Sequence, residues 1–136
     1  MTADNGIVSL ESRFGVAETI DRLAQAVANV GLEVFARIDH AAGAREVELE
    51  LRPTELLIFG HPKGGTPLMQ ESQIAGIDLP VKALAWEDEA GKVWLSYNTA
   101  DWIAARHHLG TTSATAVAAI TAGLRKTARL AAGLDA

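Results

Sequence analysis

A chain of 136 residues, 49% hydrophobic and 21% charged, has the size and balance of one globular domain that buries about two-thirds of its unfolded surface, which excludes extended disorder. With no cysteine, disulfides, thiolate catalysis, Fe–S clusters and cysteine-ligated zinc are excluded together, and the cytoplasm is the expected compartment. A formal charge of −5 opposes nucleic acid, and no apolar run approaches the ~20 residues of a membrane span, so neither is expected as a partner.

Val8, Leu10 and Phe14 alternate with polar residues and predict the buried face of a first strand. Val16, Ile20, Leu23, Val27 and Val30 then recur at helical steps, and Gly31 stands where a left-handed C-terminal cap is expected. LEVFARIDH returns to period two. After His40 a helical turn or two is expected, then an extended segment from about Glu48, in which Glu46, Glu48 and Glu50 would keep an outer face or edge soluble. Pro53 marks a break, and TELLIFG reads as a short strand buried on both faces.

The next helix is expected from about Pro67, with Thr66 as its cap and Leu68, Met69 and Ile74 inward. LPVKALAWEDEAGKVWLSYN forms the clearest hairpin, turning at Gly91. Asn98 or Thr99 caps the helix ADWIAARHHL, which Gly110 closes. A last helix carries Val117, Ile120, Leu124 and Ala131 on one side and ends near Gly133. The basic cluster Arg125, Lys126 and Arg129 falls in its last turns, where cations complement the helix dipole. Hairpin strands beside segregated helices indicate an α+β fold, with helices layered on one largely antiparallel sheet.

Four blocks, VFARIDHAAGA, LELRPTELLIFGHPKGGTPLMQ, GIDLPVKALAWEDEAGKVWLSYN and WIAARHHL, resemble a domain-of-unknown-function family, DUF302, from about Val8 to Leu109. The resemblance implies a two-layer, TBP-like α+β fold, a curved antiparallel sheet packed with helices, and no established reaction. It also implies that the position of His61 is more often asparagine, in an FGNP corner, which weakens a catalytic role for His61. The chain then divides into a DUF302-like domain, 6–110, and a C-terminal helical extension, 111–136.

Gly60-His61-Pro62-Lys63-Gly64-Gly65-Thr66 does not meet the Walker pattern, because the lysine precedes the glycine pair. A strand-to-helix corner accounts for it, and an anion-binding corner built from His61, Lys63 and free N–H groups is the functional alternative. His40 ends a strand, where a general base or ligand contact can sit; a polar residue that satisfies the turn is its plainer role. His107 and His108 are adjacent on a helix and diverge by about 100°, so they do not share an ion, and neither a metal nor a cofactor is expected. Trp86, Trp94, Tyr97 and Trp102 gather in the hairpin and the next helix, as core or subunit contacts.

The reading that follows is a small-molecule- or anion-binding domain without established catalysis, with His40, His61, Lys63 and Thr66 as polar contacts near the end of the sheet. The alternatives are a non-catalytic homodimeric assembly module, resting on the aromatic hairpin and the last helix, and an acid–base enzyme with His40 as base.

Overall fold

The alternating and helical patterns resolve, in the computed structural model, into a sheet and a layer of helices; the structure describes residues 5–135. The strands are β1 (Ile7–Ser12), β2 (Glu33–Asp39), β3 (Thr54–Gly60), β4 (Val81–Glu87) and β5 (Val93–Asn98). The helices are α1 (Val16–Asn29), α2 (His40–Glu46), α3 (Pro62–Glu71), α4 (Ala100–Arg106) and α5 (Ala114–Ala131). A 3-10 segment, Gln73–Asp78, separates α3 from β4. The strands lie in the order β1-β5-β4-β3-β2 and every neighbouring pair is antiparallel, so this is the expected α+β arrangement.

One face of the sheet carries the core. Leu10 of β1, Leu95 and Tyr97 of β5, Ala83 and Ala85 of β4, and Leu57 and Phe59 of β3 meet Ile20, Leu23 and Val27 of α1. Leu124, Ala128 and Ala131 of α5 complete the same cluster. Residues 111–136, set apart in the sequence as an extension, thus supply the second main helix of the core. The opposite face holds Leu56, Ile58, Leu84, Trp86 and Trp94, all half-buried.

Local chemistry fixes the turns. Gly31 adopts φ +79°, and its N–H and that of Leu32 donate to Ala28 and Val27, closing α1 by a left-handed cap. The β1–α1 corner is held by a buried chain of hydroxyls. Phe14 N–H donates to Ser12 Oγ, Ser12 Oγ lies 2.6 Å from Thr19 Oγ1, and Thr19 Oγ1 donates to Gly15 O. Because the Thr19 proton is committed to a carbonyl, Ser12 must be the donor in the middle bond.

Several boundaries differ from expectation, each for a local reason. α3 starts at Pro62, five residues before Pro67, because His61 rather than Thr66 caps it and Pro67 is tolerated inside the helix. β3 is buried on one face only: Glu55, Leu57 and Phe59 are buried while Leu56 and Ile58 are half-buried. Residues 47–53 form no strand; Glu46 belongs to α2 and Glu48 takes φ +61° to close it. α4 closes at His108, φ +54°, before Gly110 is reached. Ile74 points outward, 70% exposed. The aromatics divide between the two sides of the sheet: Trp86 stacks on Trp94 at 6.5 Å on the more open face, whereas Tyr97 faces the helices.

The buried Glu55 is answered from the neighbouring strand. Arg37 Nε donates to Glu55 Oε1 at 2.8 Å, and its other nitrogens reach Asp21 Oδ1 and Ala17 O, tying the edge strand β2 to α1. The hydrogen bond to Glu55 is the main reason that the Arg37 guanidinium is held charged even more firmly than usual.

Thr19→Val keeps the shape of the β1–α1 corner but leaves the Ser12 hydroxyl without its acceptor. We expect a loss of about 1–3 kcal/mol in urea unfolding; an unchanged midpoint would mean that water replaces the bond at no cost.

Candidate functional site

Where β3 ends and β4 begins, against α3 and α5, the fold leaves a cavity of about 350 Å³. Phe59 and Val81 supply the sheet side, Met69 and Leu79 one wall, and Ala119, Ile120, Gly123 and Leu124 of α5 the other. Glycine makes room for it. A Cβ on Gly123 would meet no atom within 4 Å, and one on Gly64 would reach only Ile120 Cγ1 at 4.0 Å. A glycine inside a helix costs about 1 kcal/mol relative to alanine, so at Gly123 the chain gives up helix stability beside an empty volume.

His61 is the single polar side chain in that lining, methionine sulfur aside. Its Nδ1 accepts from Lys63 N–H at 3.1 Å, and its carbonyl accepts from the N–H groups of Gly64 and Gly65. With Pro62 offering no N–H, the first turn of α3 has no backbone donor left for an anion. An accepting Nδ1 also puts the proton of the neutral ring on Nε2, which is then the ring's one donor. The corner is a capped helix start that presents one imidazole to an apolar cavity.

The other expected contacts fall elsewhere. Lys63 and Thr66 are exposed on α3 and are absent from the lining. His40 is exposed at the first position of α2, and Asp39, not His40, caps that helix by accepting from Ala42 N–H at 2.9 Å. In the β2–β3 ladder Asp39 pairs with Glu55 and Glu33 with Gly60. Six residues of strand at ~3.3 Å each therefore separate the His40 and His61 ends, roughly 20 Å. These two histidines do not belong to one site. Among the described residues no three His, Asp or Glu side chains gather as a metal site would require.

Two clusters invisible in the sequence hold the cavity walls. Glu71, at the end of α3, accepts from the N–H groups of Gly110 and Ser113 and from Ser113 Oγ, and so stands at the N-terminus of α5. The Ser113 hydroxyl, then the Gly110 amide, hold the Glu71 carboxyl below its ordinary value. Asp78 accepts from Arg106 at 3.0 and 3.1 Å and lies 2.5 Å from His107 Nε2. That pins the 3-10 segment to α4 just ahead of Leu79. The partners are 28 to 42 residues apart, so no local spacing announces them.

The sequence pattern described as "Domain of unknown function DUF302" matches residues 8–127. The chain belongs to the DUF302 family. A DUF302 crystal structure, that of an uncharacterized conserved protein from Bacillus stearothermophilus, superposes with a TM-score of 0.74 over 94% of this chain and 96% of that one, at 18% identity. This DUF302 chain is also 52% identical over 130 residues to "Fluoride-specific ion channel FluC 1" of Brucella suis and to "Fluoride-specific ion channel FluC 2" of Brucella melitensis. It covers 51% and 48% of those proteins, about half the length of each. The DUF302 match runs well into α5, in keeping with the place of that helix in the core. Among the described residues no helix is long and apolar enough to cross a membrane.

The Glu71 contacts set an acid dependence. A carboxyl whose folded value is lowered adds stability that is present above its unfolded value, near 4.5, and is lost as pH falls through the lower folded value. Glu71→Gln should therefore flatten the loss of stability below about pH 4.5 and speed amide exchange at Gly110 and Ser113. An unchanged acid limb in urea titrations of the variant would contradict this role.

Proposed function

We propose that this DUF302 chain is a non-catalytic binding module that takes a small, largely apolar molecule into the cavity between α3, α5 and the sheet. The observation that supports it most is the cavity itself, within the ~300–1,000 Å³ range of small-molecule sites and apolar apart from His61. Burial of apolar surface supplies the affinity, at about 25 cal/mol per Å² before the costs of association. The His61 Nε2–H suits a single acceptor such as a carbonyl or ether oxygen. An acidic ligand fits poorly, since Lys63 and the helix N–H groups stand outside the lining or are already bonded.

The test uses the glycine that makes the space. Gly123→Leu places a good helix former where a Cβ has open room, so the fold should persist with an equal or higher melting temperature while the cavity fills. The neutral dye N-phenyl-1-naphthylamine should brighten with the wild-type chain and show at least a tenfold weaker response with the variant. Equal dye binding by the two folded proteins would sink the proposal.

A second reading rests on length. The named channels from Brucella are about twice as long as the matched region, and that region of this chain has no spanning helix among its described residues. We infer that conduction in those relatives belongs to the half outside the match, and that the DUF302 half is an accessory module. Fluoride efflux from liposomes should then survive deletion of the matched half from the Brucella suis protein. Loss of efflux by a truncated protein that still inserts would assign conduction to both halves.

A further inference from the structure

A second cavity, of about 370 Å³, lies on the other side of α5, against the β1–β5 edge of the sheet and the start of α4. It shares only Leu124 with the first. Its character is different. Val8, Leu10 and Leu124 form an apolar floor, while Arg125 and Arg129, one helical turn apart on α5, stand over it with the Tyr97 ring.

The two arginines need an explanation. Cations near a helix C-terminus are ordinarily accounted for by the helix dipole, but here Arg22 of α1 takes that part. Its Nε donates to Ala131 O at 3.2 Å and its Nη2 to Leu130 O at 2.9 Å. Among the described residues, Arg129 bonds only through Nε, to Asp135 O, and Arg125 makes no hydrogen bond. Neither guanidinium has a carboxylate oxygen within 4 Å among those residues, in a chain of formal charge −5. Like charges four residues apart on a helix repel, and an anion between them reverses the sign.

We infer that this second cavity binds a small organic monoanion, a carboxylate carrying an apolar body. Arg125 and Arg129 hold the carboxylate as planar forks, and the body lies on Val8, Leu10 and Leu124. Asp101, at the first turn of α4, also lines the cavity, so two arginines and one aspartate give its wall a net charge of +1. A single negative group matches that wall; a polyphosphate does not. Burial pushes the Tyr97 hydroxyl above its ordinary value, while Arg125 and Arg129 pull it the other way. It stays protonated at neutral pH as a further donor.

The test is a titration of the ¹⁵N-labelled 136-residue chain with 3-phenylpropionate, and in parallel with neutral 3-phenylpropanol and with inorganic phosphate. We expect 3-phenylpropionate to shift the resonances of Tyr97, Thr121, Arg125 and Arg129, and to leave those of His61 and Met69 unmoved. The alcohol, which keeps the body and lacks the charge, should bind at least roughly tenfold more weakly, as should phosphate, which keeps charge and lacks the body. Arg125→Gln and Arg129→Gln, each checked for fold by circular dichroism, should each weaken 3-phenylpropionate by roughly tenfold or more. No shift at millimolar concentration, shifts centred on His61 and Met69, or equal binding of the alcohol would each overturn the inference. The alcohol comparison needs no variant, so it decides the matter even if an arginine replacement unfolds. Failure here leaves the apolar cavity and its dye test untouched, because the two sites share one leucine.

Discussion

α5 is clamped at both ends by opposite charges that other elements supply. At its N-terminus the Glu71 carboxylate takes two amides and a hydroxyl, and at its C-terminus the Arg22 guanidinium takes two carbonyls. Each charge has the sign that the helix dipole favours, and each satisfies backbone groups that a helix end would otherwise leave unpaired. Arg22 also lies 4.2 Å over the Phe14 ring, so the same side chain ties α5, α1 and the β1–α1 corner. Between these fixed ends, α5 packs on α1 and the sheet through Leu124, Ala128 and Ala131. Its inner residues shrink to Thr127, Ala128 and Ala131 toward the Arg22 end, where the packing is close, while its middle borders open volume on either side.

The chemistry of the two volumes follows from which turn of α5 faces them. Ala119, Ile120 and Gly123 turn toward α3 and make an apolar wall; Thr121, Arg125 and Arg129 turn toward β1 and make a cationic one. A helix with an apolar stripe on one side would ordinarily present its charges to water. Here Arg125 is exposed and Arg129 half-buried, and both line the same hollow as Val8 and Leu10, so charge and apolar surface lie side by side along that edge of the sheet.

Much of the architecture was legible from periodicity. The stripe from Val16 to Val27, the alternation in β4 and β5, the turn at Gly91 and the last helix all depend on neighbours within a few residues, and they form where the pattern puts them. What turned on a choice between equally good local signals, or on distant partners, was not legible. α3 starts early because the His61 imidazole bonds back to Lys63, whereas Thr66-Pro67 had offered an equally good local start. α2 and α4 close through left-handed Glu48 and His108, positions where glycine is the ordinary choice. The candidate site was half legible. His61 does border the apolar cavity, but Lys63, Thr66 and His40 do not. The void is built from residues of five elements and from missing side chains, and a gap leaves no motif. The arginines of α5 stood out as a cluster, but that the carbonyls at the helix end are taken by Arg22, more than a hundred residues away, was not legible.

The division of the tryptophans has an optical consequence. Trp86 and Trp94 stack on the sheet face turned away from both cavities, with their ring nitrogens donating to Ser96 Oγ and Asp88 Oδ2, and Trp102 lies under Arg106 on α4. None of the three lines either cavity beside α5. The emission of Trp86 and Trp94 therefore reads the hairpin and the open side of the sheet, whereas Trp102, beside Thr99, Ala100 and Asp101 of the second cavity, is the one tryptophan placed to sense a change there.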